Sequence, residues 1–450
     1  MVNQIEEALK LTTDTKACTI GAGATDAAAQ MFRELFPEAK KAIVIDDPRT
    51  RAVAGERVVR QLKEAGLDVA EHVICADGSW FHAEYKWIDE VRDAIAAVPG
   101  AVPVAVGSGT INDIVKRSSE EVGVRYMVVG TAASMDGYTS YGAAITKDGI
   151  KQTMSCKAPL GCIVDSALAA AAPKEMVASG FADLIAKVPA GADWILADAI
   201  GSEAIHAEAW RFVQGPLRDS LKNPAACAAG DVAETEKLCS GLVMSGFAMQ
   251  AMGSSRPASG TEHQISHYWD MEDLCFNGQP VSHGFKVGVG TLASTATIEF
   301  LLEHDLSQLD VEAAVAKWWP TFDALKATFP QVYGNRPAHI ARAESEMAGK
   351  YATPEALRKE LTLIRENWRE LSAKMQAQIM PFDEVRAALK AVGAPYEPEM
   401  IGVSRARFRE TFVGVPYMRN RYFTLDLVSR LGLLPALVDR LFGSGGVWQV

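Results

Sequence analysis

Short β-branched runs alternate with helical periodicity over the first third of the chain. Residues 42–45, Ala-Ile-Val-Ile, form a compact strand pattern ending at Asp46-Asp47. Residues 50–65 then carry Val53, Val58, Val59 and Leu62 near one helical face. Further strands are predicted at 69–74, 102–106 and 126–129, with a helix over 87–97. Strand and helix in alternation imply a parallel, doubly wound sheet, whose ligands bind at the carboxyl ends of the strands. A hairpin-like stretch over 143–164, turning at Lys147-Asp148-Gly149, closes this part. Beyond residue 160 the pattern becomes Ala-rich and Glu/Lys-rich, and helices are predicted over 166–171, 191–209, 233–252, 311–325 and 354–380. The expected architecture is an α/β domain over 1–160 and an all-helical domain over 161–450, with the active site in a cleft between them.

Composition narrows the function classes. With 450 residues, 48% of them hydrophobic and 22% charged, the chain can bury a large core. The formal net charge of −11 disfavours bulk nucleic acid and anionic membrane as partners. A local basic pocket for a small anion stays open. The seven cysteines are scattered and contain no C-x-x-C pair, which argues against a disulfide framework and for a reducing cytoplasm. Residues 1–15 lack a signal-peptide core, and no uncharged apolar run reaches the roughly 18 residues of a membrane span.

Two glycine clusters follow strands. Gly21-Ala22-Gly23-Ala24-Thr25-Asp26 begins like G-x-G-x-x-G but ends in Asp26. Gly107-Ser108-Gly109-Thr110-Ile111-Asn112-Asp113 follows 102–106 directly. Small residues there let backbone approach a pyrophosphate, and the next helix N-terminus favours its charge. Either cluster can equally be a tight turn. Asp46 and Asp47 stand at the distance expected of an acid on an adenosine ribose.

Three of the eight histidines are close in sequence: His263, His267 and His283. If Gly260 precedes a helix, His263 and His267 share one face, although an i, i+4 pair can also be two exposed polar residues. H-Q-I-S-H lacks the glutamate of H-E-x-x-H, so zinc-protease chemistry is disfavoured. His283 lies in a loop entering an apolar Gly-rich helix. An open N/O metal site needs a carboxylate, and Asp183, amid apolar residues near an expected helix start, is the best candidate. Its bland alternative is a helix-cap acid.

Taken together, residues 107–113, 131–140 (Thr-Ala-Ala-Ser-Met-Asp-Gly-Tyr-Thr-Ser), 180–183 (Gly-Phe-Ala-Asp), 190–194 (Ala-Gly-Ala-Asp-Trp), 256–267 and Ser282-His283-Gly284 resemble the glycerol-1-phosphate dehydrogenase family. Arg419-Asn420-Arg421-Tyr422 resembles the family's closing helix. The family is a branch of the iron-containing alcohol dehydrogenases, with glycerol dehydrogenase and dehydroquinate synthase as relatives. The resemblance implies a dehydroquinate synthase-like fold, with a Rossmann-like N-terminal domain and a helical metal- and substrate-binding domain. It implies Asp183, His263 and His283 as metal ligands, and Asp136 and His267 as catalytic residues at the substrate. It implies Asp47, Gly107, Gly109, Thr110, Ile111, Asn112, Asp113, Thr131, Ser134 and Ser140 as contacts to NAD or NADP. The cofactors are then a nicotinamide dinucleotide and one divalent ion, with zinc, nickel and iron equally suited by mixed O/N ligands.

The implied activity interconverts sn-glycerol 1-phosphate and glycerone phosphate, an oxidoreductase step of phospholipid metabolism carried out by a homodimer. A dehydrogenase for an uncharged polyol and a dehydroquinate synthase-like cyclase are the alternatives. Lys151, Lys187 and Lys286 are candidates for the substrate phosphate. The chain departs from the family at Gly130, where the family carries Pro, and at Pro48-Arg49, where it carries Glu-Asn. Arg49 could reach a 2′-phosphate. The apolar stretch from Leu433 has no family counterpart.

Overall fold

In the computed structural model, which describes residues 2–147 and 150–450, the alternating first third forms a six-stranded parallel sheet. Its strands are β1 (Ala17–Gly21), β2 (Lys41–Asp46), β3 (Asp68–Val73), β4 (Ala101–Gly107) and β5 (Met127–Gly130). An antiparallel hairpin of β6 (Ala143–Lys147) and β7 (Ile150–Met154) follows, and β8 (Gly161–Asp165) completes the sheet. The order is β1-β8-β5-β4-β2-β3, with every neighbouring pair parallel. The predicted hairpin over 143–164 is therefore shorter than expected, and β8 leaves it to insert between β1 and β5. Cys162-Ile163-Val164 is an unbroken buried run, which suits a strand covered on both faces. Asp148 and Gly149 of the predicted turn lie outside the described residues.

Period-two alternation explains the core. Val44, Val104, Val106, Val129 and Ile163 share one face of the sheet with Phe32, Val58 and Leu62. Residues of opposite parity, Ile43, Ile45, Ala105, Val128 and Cys162, are equally buried. Each such aliphatic side chain contributes about 1.5–3 kcal/mol on burial. Winding runs from β2 to β3 on one side, while β4 lies on the other. The strand order thus reverses between β2 and β4, and a crevice opens beyond their carboxyl ends. Asp46-Asp47 and residues 107–113 are the two segments there.

The principal helices are α1 (Gly109–Val122), α2 (Lys174–Ile185), α3 (Lys187–Ala199), α4 (Val232–Met252), α5 (Thr261–Asp270), α6 (His283–Leu302) and α7 (Thr424–Arg430). Three predicted helices are interrupted. The one over 50–65 contains a π turn at Arg51–Gly55, where a Cβ added to Gly55 would lie 2.1 Å from Asp46 Oδ2. The one over 191–209 ends after Ala199, with Gly201 left-handed at φ 69°. The one over 311–325 divides into Val311–Lys317 and Phe322–Lys326, because Pro320 between them cannot donate to a helix.

The chain forms two compact units. The first comprises residues up to Leu184, Ala207–Ala258 and Ala391–Ala394, and the second Ile185–His206, Ser259–Lys390 and Pro395–Val450. The apolar stretch after Leu433 is a helix, Leu434–Phe442, in the second unit's core. Its Phe442 packs with Trp448 on Phe408 and Phe412, with Phe408 and Trp448 centroids 4.8 Å apart. Among the described residues, α6 is the one helix long and apolar enough to cross a membrane, and 83% of its most apolar window is buried inside the protein.

Candidate metal and cofactor site

The loop at 107–113 is built by close approach. A Cβ on Gly107 would lie 2.7 Å from Ile111 Cγ1, and one on Gly109 would lie 2.3 Å from Met135 Cε. Ser108 is extended at the N-cap of α1, with Asn112 N–H donating to its carbonyl at 3.0 Å. The first-turn N–H groups of Gly109, Thr110 and Ile111 have no intrahelical acceptors and face beyond the strand end. That cradle fits a pyrophosphate.

The side chains of the next turn bind protein instead. Asn112 Oδ1 accepts from Tyr126 Oη at 3.0 Å, and its Nδ2 donates to Gly137 O at 3.4 Å. Asp113 Oδ2 accepts from Ala144 N–H at 3.2 Å. The buried Lys116 ammonium donates to the carbonyls of Gly137, Ser140 and Gly142 at 2.8, 3.0 and 3.0 Å. These bonds lace the 131–140 loop to α1. Within that loop Thr131 N–H donates to Gly107 O at 3.1 Å, and Ser140 Oγ to Gly137 O at 3.1 Å. Ser134 O accepts from Ser179 Oγ of α2 at 3.1 Å. Gly130, where the family pattern has Pro, lies under the Tyr138 ring, 3.1 Å from an added Cβ.

The acids at the end of β2, Asp46 and the following Asp47, are both buried. Asp47 caps the helix start: its Oδ1 accepts from the Arg49 and Thr50 N–H groups, each at 2.8 Å, while its own N–H donates to Thr50 Oγ1 at 3.0 Å. Asp46 is fully buried against Gly55, 3.7 Å from the Arg51 guanidinium. Burial, only partly offset by Arg51, raises its pKa to about 7. The other glycine cluster, 21–26, follows β1 at the sheet edge, three strands from the reversal. Asp165 holds it as a turn, accepting from Gly23 and Thr25 N–H at 3.1 Å each.

Asp183 stands in the last turn of α2, not near a helix start as expected, so the cap explanation does not apply. A buried acid at a helix C-terminus opposes the dipole and must be held for another reason. Its Oδ2 accepts from Asp136 N–H at 3.0 Å, and Asp136 Oδ2 accepts from Ser245 Oγ at 2.8 Å. Gly180 lets α2 reach the loop, since a Cβ there would lie 1.9 Å from Ala133 O. α2 runs on to Ile185, where the second unit begins.

In the second unit His263, His267 and His283 form a triangle, with ring centroids 5.3 Å apart for His263–His283 and 6.4 Å for each other pair. Gly260 is the N-cap of α5, so His263 and His267 lie one turn apart on it, and His283 is the first residue of α6. The two helices touch backbone to backbone: a Cβ on Gly290 would lie 2.4 Å from Glu262 O. Asp193 fixes the start of α5 by accepting from Thr261 N–H at 2.8 Å, and that of α7 through Thr424 N–H at 2.6 Å.

Carboxylates orient two of the rings. Glu262, fully buried, bonds His263 Nδ1 at 2.9 Å and accepts from Gly260 N–H at 2.6 Å. A carboxylate on Nδ1 fixes the tautomer that would offer Nε2 to a metal, an arrangement typical of metal-binding imidazoles. Asp270 Oδ2 is 3.4 Å from His267 Nδ1, and its Oδ1 pairs with the buried Lys286 ammonium. Enclosure pushes the His267 pKa down, against the pull of Asp270. Ligand atoms of Asp183, His263 and His283 all lie within 4.8 Å of one another. One carboxylate and two imidazoles fit a borderline divalent ion with open positions.

Of the lysines proposed for phosphate, Lys286 serves Asp270, Lys187 is fully buried, and the side chain of Lys151 is outside the described residues.

Residues 19–173 match the iron-containing alcohol dehydrogenase family model. The glycerol-1-phosphate dehydrogenase [NAD(P)+] of Bacillus licheniformis is 29% identical over 410 residues, 91% of this chain and 87% of that protein. The enzyme of the same name from Methanothermobacter thermautotrophicus is 32% identical over 272 residues, 60% of this chain and 75% of that protein. The chain belongs to the glycerol-1-phosphate dehydrogenase family. The fold is shared more widely: a probable glycerol dehydrogenase from Sinorhizobium meliloti superposes with a TM-score of 0.57 at 16% identity, covering 94% of this chain and 97% of that one.

Glu262, Asp270 and Ser245 take roles in the site that the sequence patterns do not assign. Each has a signal in hindsight of its contact: an acid adjacent to a histidine, an acid one turn beyond one, and a hydroxyl on a helix meeting the 131–140 loop.

Proposed function

We propose that this chain is a metal-dependent, NAD(P)-linked oxidoreductase interconverting sn-glycerol 1-phosphate and glycerone phosphate. The observation that carries the reading is the convergence of Asp183, His263 and His283, with Glu262 fixing the donor atom of His263. Asp183, His263 and His283 would hold one divalent ion, zinc, nickel or iron. The backbone of 107–111 would take the dinucleotide pyrophosphate, with Asp47, Asn112, Asp113, Thr131, Ser134 and Ser140 shaping the pocket around it. When bound, the ion supplies Lewis acidity toward the substrate oxygen and the nicotinamide accepts or donates the hydride.

The chain's own residues supply position and proton handling. His267, held through Nδ1 by Asp270, presents Nε2 one turn from His263 and is suited to give or take the substrate hydroxyl proton. Asp136, held by Ser245, presses its N–H on Asp183 and keeps that carboxylate aimed. The nucleotide role is assigned to residues 1–160 and the metal and substrate roles to 161–450. The seven free thiols suit a reducing cytoplasm, and a homodimer follows the family resemblance.

The test is a coupled comparison of glycerone phosphate with dihydroxyacetone, using NADH or NADPH and metal-replete protein. Stoichiometric nucleotide oxidation with a strong preference for the phosphorylated ketone is expected, because an empty phosphate site forfeits charge-assisted bonds. Equal turnover of both ketones would make the protein a polyol dehydrogenase, and no net nucleotide oxidation with either ketone would favour the cyclase.

A further inference from the structure

The acids near the ends of β2 and β3, which would weigh against a 2′-phosphate, are each buried or already hydrogen-bonded to backbone. Asp46 is buried, and Asp47 spends Oδ1 on its own helix start. Asp77, on the loop after β3, is turned into that loop, accepting from Ser79 N–H at 3.0 Å and facing Cys75 Sγ at 3.2 Å. The cation of the segment faces out. Arg49 is exposed, its Nη2 donates to Gly78 O at 3.1 Å, and its guanidinium lies 5.3 Å from the ring centroid of Trp80. Trp80 is 66% exposed, matched among the big apolar side chains of the described residues by Val450 alone. A large indole costs free energy in water, and here it carries the guanidinium of an exposed arginine. A planar cation fixed between a carbonyl and an aromatic ring loses little freedom on taking a phosphate in fork geometry.

We infer that Arg49, seated on Trp80, recognises the 2′-phosphate of the adenosine ribose, so that this chain binds NADP(H) in preference to NAD(H). The inference rests on the dinucleotide reading above, and on the rule that the acid-bearing end of the second strand of such sheets meets the adenosine ribose. Arg49 replaces no acid of the pocket; it adds a cation where Asp46 is buried and Asp47 already commits Oδ1 to its helix start.

Binding of adenosine fragments to the metal-replete chain, read by calorimetry, tests this without turnover. Adenosine 2′,5′-bisphosphate should bind about tenfold or more tighter than 5′-AMP, as a charge-assisted fork provides. The 3′,5′ isomer, equal in charge, should gain little. Arg49→Gln should bring the 2′,5′ compound to the level of 5′-AMP and leave 5′-AMP unchanged. Trp80→Ala, which removes the platform and keeps the charge, should lose part of the preference. Equal binding of all three compounds, or a preference that survives Arg49→Gln, overturns the inference. Binding of none overturns it together with the cofactor reading. A 2′-phosphate preference in a protein that ignores glycerone phosphate upholds the inference and sinks the substrate reading.

Discussion

The 107–113 loop and the histidine cluster meet opposite demands with opposite materials. In the proposed reading the loop would receive an anion with backbone: two glycines and a helix start, while the side chains of Asn112, Asp113 and Lys116 hold neighbouring chain. The cluster would receive a cation with side chains, and holds each of two rings by a buried carboxylate, Glu262 for His263 and Asp270 for His267. The difference teaches where each site is fragile. A backbone site fails by added bulk, and a side-chain site fails by losing one polar partner, even one that never touches the ligand.

The sharpest way to separate the two regions is a pair of variants. His267→Ala should lower turnover roughly 10²–10⁴-fold if the ring moves the substrate proton, with metal content and nucleotide affinity intact. Gly109→Leu should do the reverse, weakening nucleotide binding as the added side chain displaces Met135, with metal content intact. Nucleotide affinity unchanged in Gly109→Leu would remove the loop from the cofactor site. A smaller effect belongs to the carboxylate behind the metal ligand: Glu262→Gln should cost about 10–100-fold in metal affinity, measured by chelator competition. Affinity equal to the wild type would make Glu262 a packing residue only.

A different kind of effect concerns stability. Burial raises the Asp46 pKa to about 7, so the folded state holds this proton where the unfolded chain releases it. The associated stability is present below the unfolded carboxylate range near pH 4 and is lost as pH rises through about 7. The slope approaches roughly 1.4 kcal/mol per pH unit where the group alone dominates. Denaturant melts of Asp46→Asn should be flatter than the wild type over that interval, and identical slopes would show that Asp46 titrates alike in both states.

Much of this was legible from residue patterns. Fully apolar runs such as Ala42-Ile43-Val44-Ile45 leave a parallel strand as the economical reading, and the 107–113 loop follows from its place after one of them. Two things were not legible. Local texture gives 21–26 and 107–113 the same look, and only the strand order, with β1 at an edge and β4 at the reversal, separates a turn from a cradle. Cys162-Ile163-Val164 likewise reads as a hairpin arm until the long-range pairing with Cys18 and Val128 is formed. Asp183 stands out by its apolar surroundings as well as by its family motif, but it sits in a last turn rather than near a helix start, because Gly180 serves a backbone contact with Ala133 instead of opening a helix. Glu262 and Asp270 sit beside histidines in a segment that a single sequence cannot tell from a solvated polar face.

The central claim is that Asp183, His263 and His283 hold an ion while His267 serves the substrate. Elemental analysis of anaerobically purified wild-type protein and of Asp183→Asn, His263→Ala, His283→Ala and His267→Ala tests it most directly. About one divalent ion per chain is predicted for the wild type and for His267→Ala, with background levels in the other three. An ion that survives the three ligand substitutions, or that disappears with His267, would contradict the account.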